Sequence, residues 1–190
     1  LSRLNDAIGE RVLALLATRF RLPPARWCWL GLGSEGRLEQ TLATDQDNAL
    51  VFVAESNAEG AQRALLEFAN EVNLGLEACG FPLCAGDIMA RNPRWCLTLQ
   101  DWRGVFDGWI RNTHPEALLN AAIFFDFRPI AGEAALAGVL RESVLAQTRG
   151  NPAFGQAIKH LLFDDYIRRH RRAEDLLPLQ ESRPLEFKSS

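Results

Sequence analysis

Trp27-Cys28-Trp29-Leu30-Gly31-Leu32-Gly33-Ser34-Glu35-Gly36-Arg37, followed after a short polar stretch by Thr44-Asp45-Gln46-Asp47-Asn48-Ala49-Leu50-Val51-Phe52-Val53, decides how this chain folds. Trp27–Leu30 reads as a short apolar strand running straight into a glycine loop. Asn48–Val53 reads as a second, buried strand, because its apolar run is continuous rather than alternating. Asp45 and Asp47 stand two apart at the opening of that strand, and alternate strand residues project to one face. The expectation is a carboxylate pair on one strand face, about 5–6 Å apart and close to Gly33-Ser34.

Gly31-Leu32-Gly33-Ser34-Glu35-Gly36 spells G-x-G-x-x-G after a strand, the fingerprint of a dinucleotide fold. That fold also needs a crossover helix directly after the loop and an acid at the end of the next strand. Arg37–Leu42 is too short for the helix, and the acids open the strand instead of ending it. No Gly-Lys-Ser or Gly-Lys-Thr follows, so a P-loop fails as well. Another arrangement uses every residue of the stretch. Two neighbouring carboxylates repel unless a cation sits between them. Magnesium takes hard oxygen ligands, commonly one or two carboxylates plus substrate phosphates. Gly33 would let backbone approach those phosphates, Ser34 would bond them through hydroxyl and amide, and Arg37 would meet their charge with a planar fork. An Asp-x-Asp alone is often a solvated turn; flanked by Gly-Ser and two apolar strands, it points to a metal–triphosphate site.

Outward from this stretch, helices are expected at 4–20, closed by Pro23-Pro24, and at 57–78, closed by Gly80. A third strand is expected over Phe81–Met89, and the pattern from Leu97 onward is helical, with helices over 99–111, 115–126, 132–148 and 152–172. The fold class is α+β, an α/β sandwich-like arrangement with a small mixed sheet followed by a helical subdomain. The expected division is a core over 1–112, a helical, substrate-binding part over 113–178 and a tail over 179–190. The helical part should wall a cleft over Ser34 and Asp45, with Leu118, Ile123, Phe124, Leu136 and Leu140 facing inward and Arg128 and Lys159 supplying cations. Trp95, Trp102 and Trp109 read as an apolar packing stripe.

The 190 residues, 47% hydrophobic and 24% charged, suit a globular chain and exclude collagen, coiled-coil and disordered classes. The formal net charge of −3 argues against nucleic acid as a partner held by bulk charge. No apolar run approaches the roughly 20 residues that cross a bilayer, and no signal pattern opens the chain, so a cytoplasmic protein is expected. The absence of an initial Met points to a piece of a longer protein. Cys28, Cys79, Cys84 and Cys96 match no zinc or CxxC spacing and read as scattered reduced thiols. Arg168–Arg172 reads as a solvated basic helix face, and His114, His160 and His170 are too dispersed for a metal triad.

The run Leu30–Arg37 with Thr44–Ala49 resembles the nucleotidyltransferase signature of the DNA polymerase β superfamily. It is most similar to a bacterial nucleotidyltransferase family that lies downstream of CBS or cyclic-nucleotide-binding domains in signal-transduction proteins. That family is related to the PII uridylyltransferase and to the glutamine synthetase adenylyltransferase. Gly80–Cys84, Ile88–Trp95 and Phe125–Gly132 also match, so the resemblance spans about Leu1 to Gly132. It implies a metal-dependent transfer of a nucleoside monophosphate from an NTP (ATP, UTP or another) to an acceptor, a protein by analogy, with regulatory domains upstream. Asp45 and Asp47 would hold two Mg2+ (or Mn2+) ions, one clamping the triphosphate and one lowering the pKa of the acceptor hydroxyl. Gly33, Ser34, Gly36 and Arg37 would bind the nucleotide. The superfamily's third carboxylate would be Asp87, on the expected strand Phe81–Met89, or Asp126, in a segment resembling the Asp-x-Arg of the PII uridylyltransferase together with Arg128. Without a third acid in reach, the domain would be a catalytically weak nucleotide-sensing module.

Overall fold

In a computed structural model, the described residues are 2–40, 44–112 and 115–157. Ten elements follow one another: α1 (Ser2–Ala17), β1 (Ala25–Gly31), α2 (Gly33–Gly36), β2 (Asn48–Ala54), α3 (Ala58–Ala78), β3 (Cys96–Thr98), α4 (Leu99–Arg111), α5 (Pro115–Phe124), β4 (Arg128–Gly132) and α6 (Ala134–Arg149). Residues 152–157 are also helical. The remainder of the helix expected over 152–172 lies outside the described residues, as do Lys159, the basic run Arg168–Arg172, His114, His160, His170 and the tail 179–190.

The four strands form one mixed sheet in the order β3-β2-β1-β4. β1 runs antiparallel to both β2 and β4, and β2 runs parallel to β3. The register sets Trp29 opposite Leu50 and Leu30 opposite Ala49, so each face of the sheet carries its own apolar set. Trp29, Leu50 and Phe52 pack under α1 and α3, against Leu13, Leu65, Phe68 and Val72. Cys28, Leu30, Ala49 and Val51 pack on the other face, against Trp102, Phe106, Phe124, Leu136 and Leu140 of α4, α5 and α6. The result is a sheet buried on both faces, which explains why β2 reads as an unbroken apolar run.

Local chemistry sets the helix ends. Asn57 caps α3 by accepting from the Gly60 amide, and Thr98 caps α4 by accepting from the Asp101 amide. Gly80, at φ +97°, turns the chain out of α3, the stop its position predicts. Trp95 and Trp102 are buried and stack at a centroid distance of 6.2 Å, and Trp109 lies half-buried beside them. The tryptophan stripe is therefore core packing.

Two expectations fail. Phe81–Met89 is a loop and not a strand. Pro82 has no amide to donate, and Asp87 takes a left-handed φ of +52° that breaks extended backbone. The parallel partner of β2 is instead the three-residue strand Cys96–Thr98, too short to show a period of its own. Beyond residue 112 the chain is not wholly helical: β4 joins the sheet beside β1. It is an edge strand, which tolerates Pro129. Of the residues expected to face inward, Phe124, Leu136 and Leu140 are buried, Ile123 is half-buried, and Leu118 packs in a small separate cluster with Ile110, Ala121 and Phe154. Among the described residues no helix is long and apolar enough to cross a membrane.

Candidate nucleotide and metal site

The site lies where β1 ends and β2 begins. Gly31 pairs with Asn48, and the Leu32 amide donates to the Asp47 carbonyl, so the glycine loop and the acidic stretch leave the sheet side by side. Gly33 sits at φ +50°, a conformation that glycine adopts without strain. A Cβ there would stand 3.4 Å from Asp47 Oδ2, which puts the loop backbone directly against that carboxylate. Residues Gly33–Gly36 then make a single helical turn with no side-chain cap at its start. The first amides of such a turn have no intrahelical carbonyl to meet.

Asp45 and Asp47 precede the strand and do not lie on it; β2 opens at Asn48. Their carboxylate oxygens and the Cys84 sulfur nevertheless all lie within 4.8 Å of one another. Asp45 is exposed and Asp47 is half-buried. Burial raises the Asp47 carboxyl above its ordinary range, the Cys84 thiol's hydrogen bond lowers it, and the Asp45 charge raises it again. The Cys84 thiol is itself pushed up, chiefly by burial, although the amides of Gly86 and Ile88 face the sulfur and favour thiolate. Two acids and a thiol crowded this way, with Asp47 and Cys84 both disfavoured in their charged forms, are a donor set that a divalent cation would relieve. The residues present therefore fit the metal that the resemblance implies.

Buried polar side chains hold this arrangement. Gln46 and Asn48, the residues alternating with the acids, are buried. Gln46 Nε2 donates to the carbonyls of Asn73 (3.0 Å) and Phe81 (2.8 Å). Asn73 Nδ2, on α3, donates to Gln46 Oε1 (2.8 Å) and Asn48 Oδ1 (3.0 Å). Asn48 Oδ1 also accepts from the Ala90 amide, and Asn73 Oδ1 from the Arg91 amide. The backbone adds Gln46 N to Pro82 O and Asn48 N to Ile88 O. The loop over 81–91 is thus stapled along the acidic stretch, and this is what delivers Cys84 to Asp47. Sequence reading passes over Gln46, Asn48 and Asn73, because a polar residue gives no periodic signal. It also treats Cys84 as one of four unrelated thiols. Cys28 and Cys96, by contrast, are sealed in the core, where burial pushes both thiols up to about 12.

The other expected residues are distributed around the pair. Ser34 and Gly36 lie on the α2 turn. A Cβ on Gly36 would collide with the Asp126 backbone oxygen, so only glycine lets the loop before β4 approach so closely. Arg37 bonds Glu39 at 2.8 Å and Asp126 at 3.0 Å. Arg128 donates to Asp6 Oδ1 at 2.8 Å and to the Glu35 carbonyl at 3.1 Å. Asp87 accepts from Asn92 Nδ2 at 2.9 Å and faces Arg91 at 3.7 Å. Among the described residues neither Asp87 nor Asp126 forms a three-carboxylate group with Asp45 and Asp47. A further acid that feels the Asp47 charge is Glu35, whose carboxyl is pushed up to about 7. Burial is the main cause, Asp6 adds to it, Arg128 opposes it and Asp47 adds a little more. Glu35, Gln40, Asp45, Gln46 and Asn48 line a cavity of about 20 Å3 with Asn5 of α1, room for about one water. The cavity beside the acidic stretch is thus closed in part by α1 and by Ile130 of β4, while Asp126 and Arg128 meet the glycine loop. The larger groove on the opposite layer, about 480 Å3, is lined by Trp95, Leu97, Val105 and Trp109 and does not include Ser34 or Asp45.

No curated protein and no solved structure matches the chain. A family model matches residues 1–116, which include the glycine loop, the acidic stretch, the Cys84 loop and α4. On that match, over more than half its length, this chain belongs to the putative nucleotidyltransferase family DUF294.

Proposed function

We propose that this chain transfers a nucleoside monophosphate from an NTP to a hydroxyl of a protein acceptor, expelling pyrophosphate. The observation that supports the reading best is the contact of the Gly33 backbone with the Asp47 carboxylate, beside Asp45. A phosphate loop and a cation-binding pair there share one small volume. Asp45 and Asp47 would hold Mg2+ or Mn2+, which when bound would neutralise phosphate charge and lower the pKa of the acceptor hydroxyl. The open amides of the α2 turn and the Ser34 hydroxyl would bond phosphate oxygens. Arg37, anchored on Asp126 and Glu39, would present its guanidinium at the rim of the loop. Gln46, Asn48 and Asn73 would keep the two carboxylates fixed, so that little reorganisation is needed when charge develops. The segment from 113 to 178 is the proposed acceptor-binding part, and regulatory domains elsewhere in the same protein would set its activity. The reaction would take place in the cytoplasm.

The test is pyrophosphate release from each NTP with a cell lysate as acceptor source, and mass spectrometry to find the nucleotidylated protein. Asp47→Asn should lower metal-dependent release by a factor of about 10²–10³, the range lost with a key electrostatic group. Its melting temperature should stay level or rise, because one of two repelling carboxylates is gone. An unchanged rate in Asp47→Asn sinks the reading. A second reading is favoured by the lack of a three-carboxylate group among the described residues. On it the domain binds nucleotide and relays its presence to attached domains without turnover. Tight metal-dependent NTP binding with no pyrophosphate from any NTP and any lysate would select it.

A further inference from the structure

We propose that Cys84 is a third metal ligand, so that Asp45, Asp47 and Cys84 form a site for a thiophilic divalent cation such as Zn2+, which the protein binds in preference to Mg2+. The inference rests on the reading of Asp45 and Asp47 as metal ligands and goes beyond it in the kind of ion the site selects. Three observations carry it. The sulfur and the two carboxylates lie within 4.8 Å of one another, a spacing that one ion can bridge, since Zn–S and Zn–O distances are about 2.3 Å and about 2.0–2.2 Å. Among the described residues no further carboxylate joins the two acids, so the thiol is the third donor that this cluster offers. The sulfur is also held there. Its loop is fastened by Gln46 N to Pro82 O, Asn48 N to Ile88 O and Ala90 N to Asn48 Oδ1, and the amides of Gly86 and Ile88 face it.

Ligand softness decides the metal. Carboxylates alone suit Mg2+ and Mn2+, whereas a thiolate draws Zn2+ and other borderline ions. Binding would release the Cys84 proton to solvent and leave a metal–thiolate bond, with no change of oxidation state. The consequence is regulatory: Zn2+ would compete with the working Mg2+ at the same carboxylates, held by three protein ligands with its fourth position left to water. A simpler role for Cys84 is to donate a hydrogen bond to Asp47. Serine can do that too, and this separates the two.

The experiment is a Co2+ titration of the full chain, with the exposed Cys79 changed to serine to silence its thiol. The expected result is a near-ultraviolet thiolate-to-cobalt absorption band that is abolished by Cys84→Ser and by Zn2+, but not by a large excess of Mg2+. Zn2+ affinity should fall at least about 10–100-fold in Cys84→Ser, since even an outer partner of a ligand is worth that much. In the unaltered chain, Zn2+ should protect Cys84 from alkylation, read by peptide mass spectrometry, a measurement that does not depend on how the serine variant folds. Co2+ binding with no sulfur band, no protection of Cys84 and equal Zn2+ affinity in Cys84→Ser overturns the proposal and leaves the carboxylate pair standing. Absence of any divalent-ion binding, with Asp47→Asn indistinguishable from the starting protein, overturns both.

Discussion

The two layers that cover the sheet are built from different chemistry. On the α4–α6 side the buried residues are nearly all apolar, and Trp95, Trp102, Phe106, Phe124 and Phe127 form a connected aromatic cluster. On the α1–α3 side an apolar core of Leu13, Leu65, Phe68 and Val72 gives way, at the loop end of the sheet, to Gln46, Asn48, Asn73, Glu35 and Asp6. Burying polar groups is costly unless each is bonded, and on this side Gln46, Asn48 and Asn73 are bonded to one another and to the loop over 81–91. The difference suggests a division of labour: one layer supplies stability, the other spends some of it on geometry.

The sharpest way to break that division is Trp102→Ala. Trp102 is 1% exposed, its ring meets Trp95, Phe106 and Phe124, and its Nε1 donates to the Leu50 carbonyl at 3.0 Å. Truncation should cost about 3–5 kcal/mol, the range for large aromatic cavities. Denaturant unfolding measures it. Metal affinity of the folded fraction should be unchanged. A loss under about 1 kcal/mol would mean that the aromatic layer is not where stability resides.

Asn73→Ala attacks the other layer. It strips the partners of Gln46 Oε1 and the Arg91 amide, and leaves Asn48 Oδ1 with the Ala90 amide alone. Unsatisfied buried groups cost about 1–3 kcal/mol each, so a loss of about 2–4 kcal/mol is expected. Unlike Trp102→Ala, this change should also weaken divalent-ion binding by the folded protein, because Asp45 and Asp47 flank the released Gln46. Stability lost with ion affinity intact would separate the polar network from the site.

Glu35→Gln should show its effect through pH. The folded protein holds the Glu35 carboxyl near 7 against an ordinary value of 4.5, so it binds that proton more tightly than the unfolded chain does. This contribution is fully present below pH 4.5 and is lost as pH rises through 7. With about 1.4 kcal/mol per pKa unit, the unaltered protein should lose roughly 2–3 kcal/mol across that window relative to Glu35→Gln. Unfolding free energies of both proteins at pH 5 and pH 8, in chelator, test it. Parallel pH profiles would refute the assignment.

These contrasts also explain what the sequence made legible. β1, β2, α3 and α4 were readable because apolar residues repeat on their buried faces, and Gly80 marks the end of α3. The glycine loop and the Asp45–Asp47 pair were readable because residue type and spacing carry the chemistry directly. β3 was hidden: three residues hold no period, and Cys96–Thr98 runs straight into α4. β4 was hidden by Pro129, which argues against a strand unless the strand is known to lie at an edge. The expected strand over Phe81–Met89 was a false reading of a loop whose apolar residues are held by Gln46 and Asn48 at single points. Cys84 reaches the site only through that loop, so its place could not be found from spacing along the chain.

Asp126→Asn is the mildest change and sharpens the comparison where the layers meet. Asp126 follows α5 on the aromatic side, yet its carboxylate pairs with Arg37 of the glycine loop at 3.0 Å. Its side chain is 44% exposed and that of Arg37 is 34% exposed, so solvent screens the pair and its worth should be under about 1 kcal/mol. Arg37 keeps Glu39 as a second partner, which limits the loss further. The backbone oxygen of Asp126, which sits against Gly36, is untouched by the substitution. Asp126→Asn should therefore leave unfolding free energy and divalent-ion affinity nearly level, with any fall in nucleotide affinity only a few-fold. Single-turnover assays with saturating NTP give the decisive reading. A fall of about 100-fold or more in the transfer step, with the fold and ion affinity preserved, would mean that Asp126 leaves Arg37 and acts beside Asp45 and Asp47 during the reaction. The aromatic layer would then contribute a reacting group, and the division between a layer for stability and a layer for geometry would fall.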